Sequence, residues 1–233
     1  MKTLMVLIFL GFSFILFAQN EASQNKHFII GIKTGAFIPS DQQIKGSDEI
    51  DILNSGSVSG IFMNGFGIGG NFLLTANYFF SNVGVNIESG LQLLKQKEGA
   101  SIYPSGNYEY YENTLTIFPI EAGIKYKFSS NETEIEPYFG IGAGLYFENV
   151  ETKYTPEQGQ RRWGKDKFAA FGCNINGGFF IPLYSMILAN IEMKYNFAVG
   201  NMNLKNVDDS SIQNYKNINT GGLSINIGIA LKL

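Results

Sequence analysis

The sequence contains very few of the residues on which catalysis and metal binding most often depend. Its 233 residues include one histidine, His27, and one cysteine, Cys173. A single histidine cannot build a multi-histidine metal site, and Cys173 has no evident base nearby in the sequence to activate its thiol. One cysteine also excludes an internal disulfide. The sequence therefore predicts no metal ion, no cofactor and no thiol chemistry.

Positive charge and long apolar runs are also scarce. The chain has 17 lysines and arginines against 20 acidic residues, a net charge of −3. Because binding to nucleic acid requires a basic patch or stripe, no nucleic-acid partner is expected. Beyond the first twenty residues, no apolar run approaches the ~20 residues that a transmembrane helix needs. A membrane crossing by this chain would have to use strands.

The N-terminus has the pattern of an export signal. Lys2 precedes an apolar run over residues 4–17, and Ala18 supplies a small residue before a polar stretch. A short basic start, an apolar centre and a small-residue exit are typical of a secretory signal peptide. We therefore predict a signal peptide over 1–18 and a single mature domain over 19–233.

Alternation of apolar and polar residues dominates the mature chain. The last segment shows it most clearly, with apolar side chains at every second position: Leu223, Ile225, Ile227, Ile229, Leu231 and Leu233. A period of two is the signature of a strand with two different faces. Eight such segments can be counted, near 27–38, 62–76, 83–95, 114–128, 135–149, 168–181, 186–200 and 218–233. A hairpin hidden in 39–61 or 96–113 would raise the number to ten.

The connections between these segments alternate in length. Long ones span 39–61, 96–113, 150–167 and 201–217, and short ones lie near 77–82, 129–134 and 182–185. Outer-membrane barrels combine short periplasmic turns with long outer loops and an even number of strands. The pattern predicts an all-β protein, a transmembrane antiparallel up-and-down β-barrel of eight strands in a bacterial outer membrane.

Scattered charges on the polar face predict an enclosed polar network. A lysine facing lipid near the bilayer midplane costs roughly 2–4 kcal/mol, so these residues are expected to point into the lumen. Both signs are present, which favours structural ion pairs over acid–base catalysis. The predicted lumen residues are Lys33, Glu88, Glu121, Lys125, Glu192 and Lys194.

Aromatic residues collect near the segment ends, where two girdles at the membrane interfaces are expected. Near the short turns the girdle would include Tyr78, Phe79, Phe80 and Phe180. Near the long loops it would include Tyr146 and Phe147.

Three stretches carry a family resemblance: residues 116–120 (TIFPI), 125–128 (KYKF) and 136–144 (EPYFGIGAG). The chain resembles the outer-membrane protein β-barrel family of Bacteroidota, often described as porin-family or PorT-like proteins. This resemblance implies an eight-stranded outer-membrane barrel. It supplies no catalytic residues, because the family is functionally heterogeneous. Many outer-membrane barrels end in an aromatic residue read by the barrel assembly machinery, an expected partner here, whereas this chain ends in Leu233.

The sequence leaves several functions open. The favoured one is a non-enzymatic barrel with a structural or surface-interaction role and a lumen filled by side chains. Alternatives are a narrow channel for small solutes and a soluble lipocalin-like periplasmic ligand binder with its apolar face turned inward. An enzyme is not favoured, because His27 begins the first strand at the periplasmic end, away from the outer rim.

The expected partners follow from the membrane location. They are outer-membrane lipids, including lipopolysaccharide, and a surface or periplasmic protein. A basic cluster in the third long connection could hold lipopolysaccharide phosphates through charge-assisted hydrogen bonds. Its residues are Arg161, Arg162, Trp163 and Lys165.

Overall fold

The computed structural model describes residues 26–40, 68–101, 108–128, 134–155, 162–206 and 212–233. The predicted signal peptide, 1–18, lies outside these residues. Nine strands occupy the described chain: β1 Lys26–Pro39, β2 Gly69–Phe80, β3 Val83–Ser101, β4 Tyr108–Lys127, β5 Glu136–Thr155, β6 Arg162–Tyr184, β7 Ile187–Asn206, β8 Ile212–Asn219 and β9 Gly222–Lys232. Among the described residues, no helix is long and apolar enough to cross a membrane.

The strands form one closed antiparallel ring. Each strand from β1 to β7 pairs with the next along the chain, and β9 pairs with both β7 and β1. β8 continues into β9 after Thr220 and Gly221, and it pairs with the upper part of β7. The two strands together therefore make one strand of the wall, and the ring has eight. The predicted eight-stranded up-and-down barrel is confirmed.

Both ends of the described barrel chain lie at the rim that carries the short turns. Backbone hydrogen bonds join Phe28 and Leu233 in both directions, at 3.1 and 2.7 Å. The same rim holds the two-residue turns at 81–82 and 185–186 and the connection 128–135. Ser81 has a φ of 60°, the left-handed conformation that tight hairpin turns require. The three connections that the sequence predicted to be short therefore lie at one rim, together with both described chain ends.

At the opposite rim, the predicted long loops 96–113, 150–167 and 201–217 are wrong in extent. β3 and β4 stay paired up to Ser101 and Tyr108, and β5 and β6 stay paired up to Tyr154 and Arg162. The prediction used alternation of apolar and polar residues, which is weak in these stretches of the sequence although backbone pairing continues. The described residues of 96–113 are thus the ends of two paired strands. Nearly all of 39–61 lies outside the described residues.

The apolar face of the sheet points outward. Ile141 is 54% exposed and Ile227 is 60% exposed, whereas alternate residues on the same strands are buried or half-buried. Other outward residues on this surface, which we call the apolar belt, are Ile32, Leu74, Ile87, Phe118, Phe139, Leu145, Phe147, Phe171, Ile191, Met193 and Phe197. This is the reverse of a water-soluble barrel that encloses an apolar ligand.

Three aromatic residues assigned to the girdles point inward instead. Phe79, Phe180 and Tyr146 are 0%, 2% and 2% exposed. Each has an aromatic neighbour in the sequence, and alternation turns only one of the two outward. Tyr78 and Phe80 do share the outer side, with ring centroids 4.6 Å apart in an edge-on contact.

We predict that Ile141→Lys destabilises the barrel by about 2–4 kcal/mol in lipid vesicles, because it places an ammonium group in the acyl region. Equilibrium unfolding by denaturant measures this change. The matched control is Asn149→Lys, on the same face of β5 two residues beyond Phe147. It should cost roughly 0–1 kcal/mol. Equal costs at both positions would contradict the assignment of the belt.

Candidate functional site

The six charged residues predicted for the lumen come together at the centre of the ring. They lie on four strands: Lys33 on β1, Glu88 on β3, Glu121 and Lys125 on β4, and Glu192 and Lys194 on β7. Each is no more than 2% exposed. Three positive and three negative side chains balance one another, so the cluster carries no net formal charge. We refer to these six residues as the lumen network.

Lys33 holds one side of the lumen network together. Its Nζ donates to Glu88 Oε2 and, at 2.5 Å, to Glu192 Oε1. Lys125 Nζ donates to the other oxygen of Glu192 at 3.1 Å. These contacts join β1, β3, β4 and β7 across the interior, between residues far apart in the chain.

Lys194 extends the network on the other side. Its Nζ donates to Glu88 Oε1 and, at 2.6 Å, to Glu121 Oε2. Glu88 therefore accepts from one lysine at each of its carboxylate oxygens. The result is a continuous alternation of charge from Lys125 to Glu121.

Two tyrosine hydroxyl groups of β5 donate further hydrogen bonds to Glu192 and Glu121, toward the two ends of this row of ion pairs. Tyr138 Oη donates to Glu192 Oε2 at 2.8 Å, and Tyr146 Oη donates to Glu121 Oε1. Asn190 Nδ2 in turn donates to Tyr138 Oη at 3.0 Å. Neither tyrosine was predicted to belong to the network, although their position on the inward register of β5 could have identified them. Each carboxylate of the network therefore accepts from at least two lysine or tyrosine groups.

Glycines on neighbouring strands make room for the charged side chains. Gly228, Gly144 and Gly140 lie directly across from Lys33, Glu121 and Lys125. A Cβ atom on Gly228 would stand 2.8 Å from Lys33 Cγ, and one on Gly144 would stand 2.8 Å from Glu121 Cγ. Both distances are shorter than van der Waals contact, so the long side chains can cross the lumen only because these positions lack side chains.

Apolar clusters close the lumen on both sides of the network. The lower cluster, at the short-turn rim, comprises Ile29, Phe79, Tyr138, Phe180, Leu188 and Ala230. The upper cluster, toward the long connections, comprises Phe37, Leu94, Leu115, Ile117, Tyr146, Val150, Ala170 and Ala198, with Phe168 packed against it. Tyr138 and Phe180 stack with ring centroids 4.7 Å apart. The polar layer is thus enclosed between two apolar layers.

One gap beside the network is too small to hold a water molecule. It is bordered by Lys33, Thr75, Asn77, Lys125, Phe180 and Asn190. A barrel of eight strands has an interior just wide enough for side chains to fill. The two apolar clusters and the lumen network are such a filling.

Glu148 is a buried carboxylate outside the lumen network. It is 2% exposed, with the Thr220 side chain close to it. It lies across from Ile117 and Phe168, beside residues of the upper cluster. Burial disfavours the ionised form of a carboxyl group, which raises the pKa of Glu148 to about 8, although the interaction with Thr220 partly opposes this shift.

The proposed basic cluster is only partly within the described residues. Arg161 lies outside them, and for Arg162 and Trp163 the structure describes the backbone alone. Lys165 lies on the outward face of β6, with its side chain 60% exposed and its Nζ 3.4 Å from Glu151 Oε1. Arg162, Trp163 and Lys165 thus belong to a paired strand of the wall.

The single histidine and the single cysteine lie on different faces of the barrel wall. His27 stacks on Phe79, with ring centroids 5.4 Å apart, and its Nε2 is 2.6 Å from Lys127 Nζ. Cys173 is exposed on the outward face within the apolar belt. In the described ranges, no group of three His, Cys, Asp or Glu side chains could hold a metal ion.

Comparison with known proteins identifies the fold. No protein-family model matches the chain, and no curated protein matches it. Among solved structures, the outer membrane protein OprG from Pseudomonas aeruginosa is 14% identical with a TM-score of 0.55, covering 89% of this chain and 95% of its own. A major outer membrane protein from Thermus thermophilus is 10% identical with a TM-score of 0.50, covering 90% and 100%. The chain has the fold of outer-membrane β-barrels.

We predict that Glu192→Gln destabilises the barrel by about 3–5 kcal/mol, because it leaves Lys125 buried without its ion-pair partner. Adding Lys125→Met should restore part of the loss, since the unpaired charge is then removed. A double-mutant cycle in denaturant unfolding measures the coupling between the two residues.

The control for this cycle is Glu112→Gln. Glu112 Oε1 lies 3.9 Å from Lys153 Nζ, and the two side chains are 41% and 36% exposed. Exposed ion pairs contribute about 0–1 kcal/mol, so this variant should change stability little. Equal effects of Glu192→Gln and Glu112→Gln would contradict the importance of the lumen network.

Proposed function

We propose that the mature chain is an outer-membrane protein with a non-enzymatic structural or surface-interaction role and a sealed lumen. The observation that carries this proposal is the layered interior, in which the lumen network lies between two apolar clusters. A barrel built in this way has a rigid, neutral and filled centre. Its functional surface is therefore the outer wall and the rim.

The dimensions of the apolar belt support insertion into a bilayer. On β5 the outward residues are apolar from Phe139 to Phe147, and Asn149, Glu151 and Lys153 follow on the same face. Nine residues on a strand tilted by roughly 40° rise about 23 Å along the barrel axis. The apolar band of outer-membrane barrels is about 25 Å tall.

The sealed interior argues against the narrow channel. A solute would have to displace Phe79 and Phe180 at one end and Leu115 and Tyr146 at the other, and it would have to break ion pairs between them.

The lipocalin-like alternative requires an inward apolar face around a ligand. The outward exposure of Ile141 and Ile227 is the opposite arrangement.

The hairpins beyond the belt supply a surface for interaction. β5 continues for eight residues past Phe147 to Thr155, and it remains paired with β6 up to Tyr154. Eight strand residues span about 26 Å along the strand. A paired wall of this length, standing in water, is a pre-organised platform for a surface partner.

Export and the family resemblance belong to the same proposal. A signal peptide over 1–18 would deliver the chain to the periplasm, and the barrel assembly machinery would insert it. Membership of the Bacteroidota outer-membrane barrel family remains a hypothesis that rests on the stretches 116–120, 125–128 and 136–144.

We predict that the purified barrel gives no swelling of liposomes in a small sugar and no steady conductance in planar bilayers, because its lumen is filled. Liposomes that contain a general diffusion porin are the positive control. Sugar uptake that rises in proportion to the amount of folded barrel would favour the channel instead.

We predict that the mature protein fractionates with outer membranes and requires detergent for extraction. Its folded form should migrate differently from the boiled form in gel electrophoresis, because closed barrels resist unfolding by detergent. Recovery of folded protein in a detergent-free periplasmic extract would contradict the membrane location.

A further inference from the structure

We propose that the outward face of the β5–β6 hairpin, just above the apolar belt, binds the phosphate groups of lipid A in the outer leaflet. The binding residues are Lys153, Lys165 and Lys167, which we call the basic rim. This inference rests on the proposed function, since it requires the barrel to stand in an outer membrane with its long connections outside. The partner of this part of the wall would then be a phosphorylated lipid.

The register of β5 and β6 places the three lysines of the basic rim on the outward face, in three successive rows above the apolar belt. Lys167 lies across from Asn149, and Lys165 lies across from Glu151. Phe147 and Ala169 form the next outward row below, at the edge of the apolar belt. From Phe171 to Lys167 the strand advances four residues, which corresponds to about 10 Å of height. Lysine side chains at this height can bend down to the headgroup region.

The side chains of the basic rim are accessible, and the ion pairs they make are exposed ones. Those of Lys153 and Lys165 are 36% and 60% exposed, and Lys167 is exposed as well. Lys165 Nζ is 3.4 Å from Glu151, and Lys153 Nζ is 3.9 Å from Glu112. Exposed ion pairs of this kind contribute little to stability, so the ammonium groups can exchange partners.

The chemistry of the rim fits a phosphate better than a carboxylate. A phosphate monoester carries up to two negative charges and three acceptor oxygens, so it can accept from two lysines at once. The alternation of strand faces brings Lys165 and Lys167 to the same side of β6, two residues apart. Immediately below them, the apolar row would contact the first part of the acyl chains. A phosphorylated lipid presents these two chemistries in the same vertical order.

The placement refines the basic cluster expected from the sequence. Lys165 stays in the site, and Lys153 and Lys167 join it because they lie on the same face, one outward row above Lys165 and one outward row below it. Arg161, Arg162 and Trp163 are not assigned to the basic rim. Trp163 is the only tryptophan of the chain and lies across from Lys153, so its fluorescence offers a local reporter.

The test measures binding of lipid A to the folded barrel in zwitterionic detergent micelles. Native mass spectrometry counts the bound lipid, and Trp163 fluorescence follows the same titration. Bisphosphorylated lipid A should bind saturably. Dephosphorylated lipid A should bind roughly tenfold more weakly or not at all, and so should bisphosphorylated lipid A with the Lys165→Gln/Lys167→Gln variant, since each lysine near an anionic surface adds to the attraction.

The matched control is Lys95→Gln. Lys95 is an exposed lysine that follows the apolar residue Leu93 on the outward face of β3, and it lies across from Thr114 instead of beside a second cation. This variant should bind lipid A with an affinity within about twofold of the unmodified barrel, because it removes no lysine of the basic rim. An equal loss for Lys95→Gln and for the double variant, or equal binding of dephosphorylated lipid A, would overturn the proposal.

Failure of this proposal is distinguishable from failure of the proposed function. Each variant is first checked for the gel shift of a folded barrel and for the absence of liposome swelling. A folded, sealed barrel without preference for phosphorylated lipid A contradicts the basic rim alone.

Discussion

Six charged side chains share the buried interior of the barrel, so they must neutralise one another. Lys33, Glu88 and Lys194 form the centre of this arrangement, with Glu88 accepting from both lysines. An ammonium or carboxylate group buried without a partner costs several kcal/mol. The strands that carry these residues are therefore fixed relative to one another. Closure of the ring and the pairing of charges depend on each other.

The rest of the barrel follows from that constraint. Glycines such as Gly144 and Gly228 leave space for the charged side chains. Tyr138 and Tyr146 donate hydrogen bonds to carboxylates that also accept from lysines. The apolar clusters above and below keep water from competing for the ion pairs. Because the polar side chains of the strands point inward, the outward face can be uniformly apolar over the height of a membrane. The residues of the wall beyond the belt are then the ones that can vary with function.

Much of this arrangement could be predicted from the sequence, because alternation fixes which side of a strand each residue occupies. It placed Lys33, Glu121 and Glu192 on one face without any knowledge of their partners. The partners themselves depend on register between distant strands: Lys33 reaches residues 55 and 159 positions away. Tyr146 and Phe147 show a second limit of prediction from sequence. Which of two adjacent aromatic side chains points into the lumen is known only once the register of the strand is fixed. The strand ends at Ser101 and Tyr108 were not predicted, because the sequence around them does not alternate between apolar and polar residues.

The central claim is that polar side chains lie inside and apolar side chains face lipid. Spin labels placed singly along β7 from Ile187 to Val199 test it directly, through collision with oxygen dissolved in the acyl region of a bilayer. Oxygen accessibility should alternate with a period of two, high at Ile191, Met193 and Phe197 and low at Glu192, Lys194 and Asn196. An alternation of opposite phase, or uniform accessibility along the strand, would contradict the account.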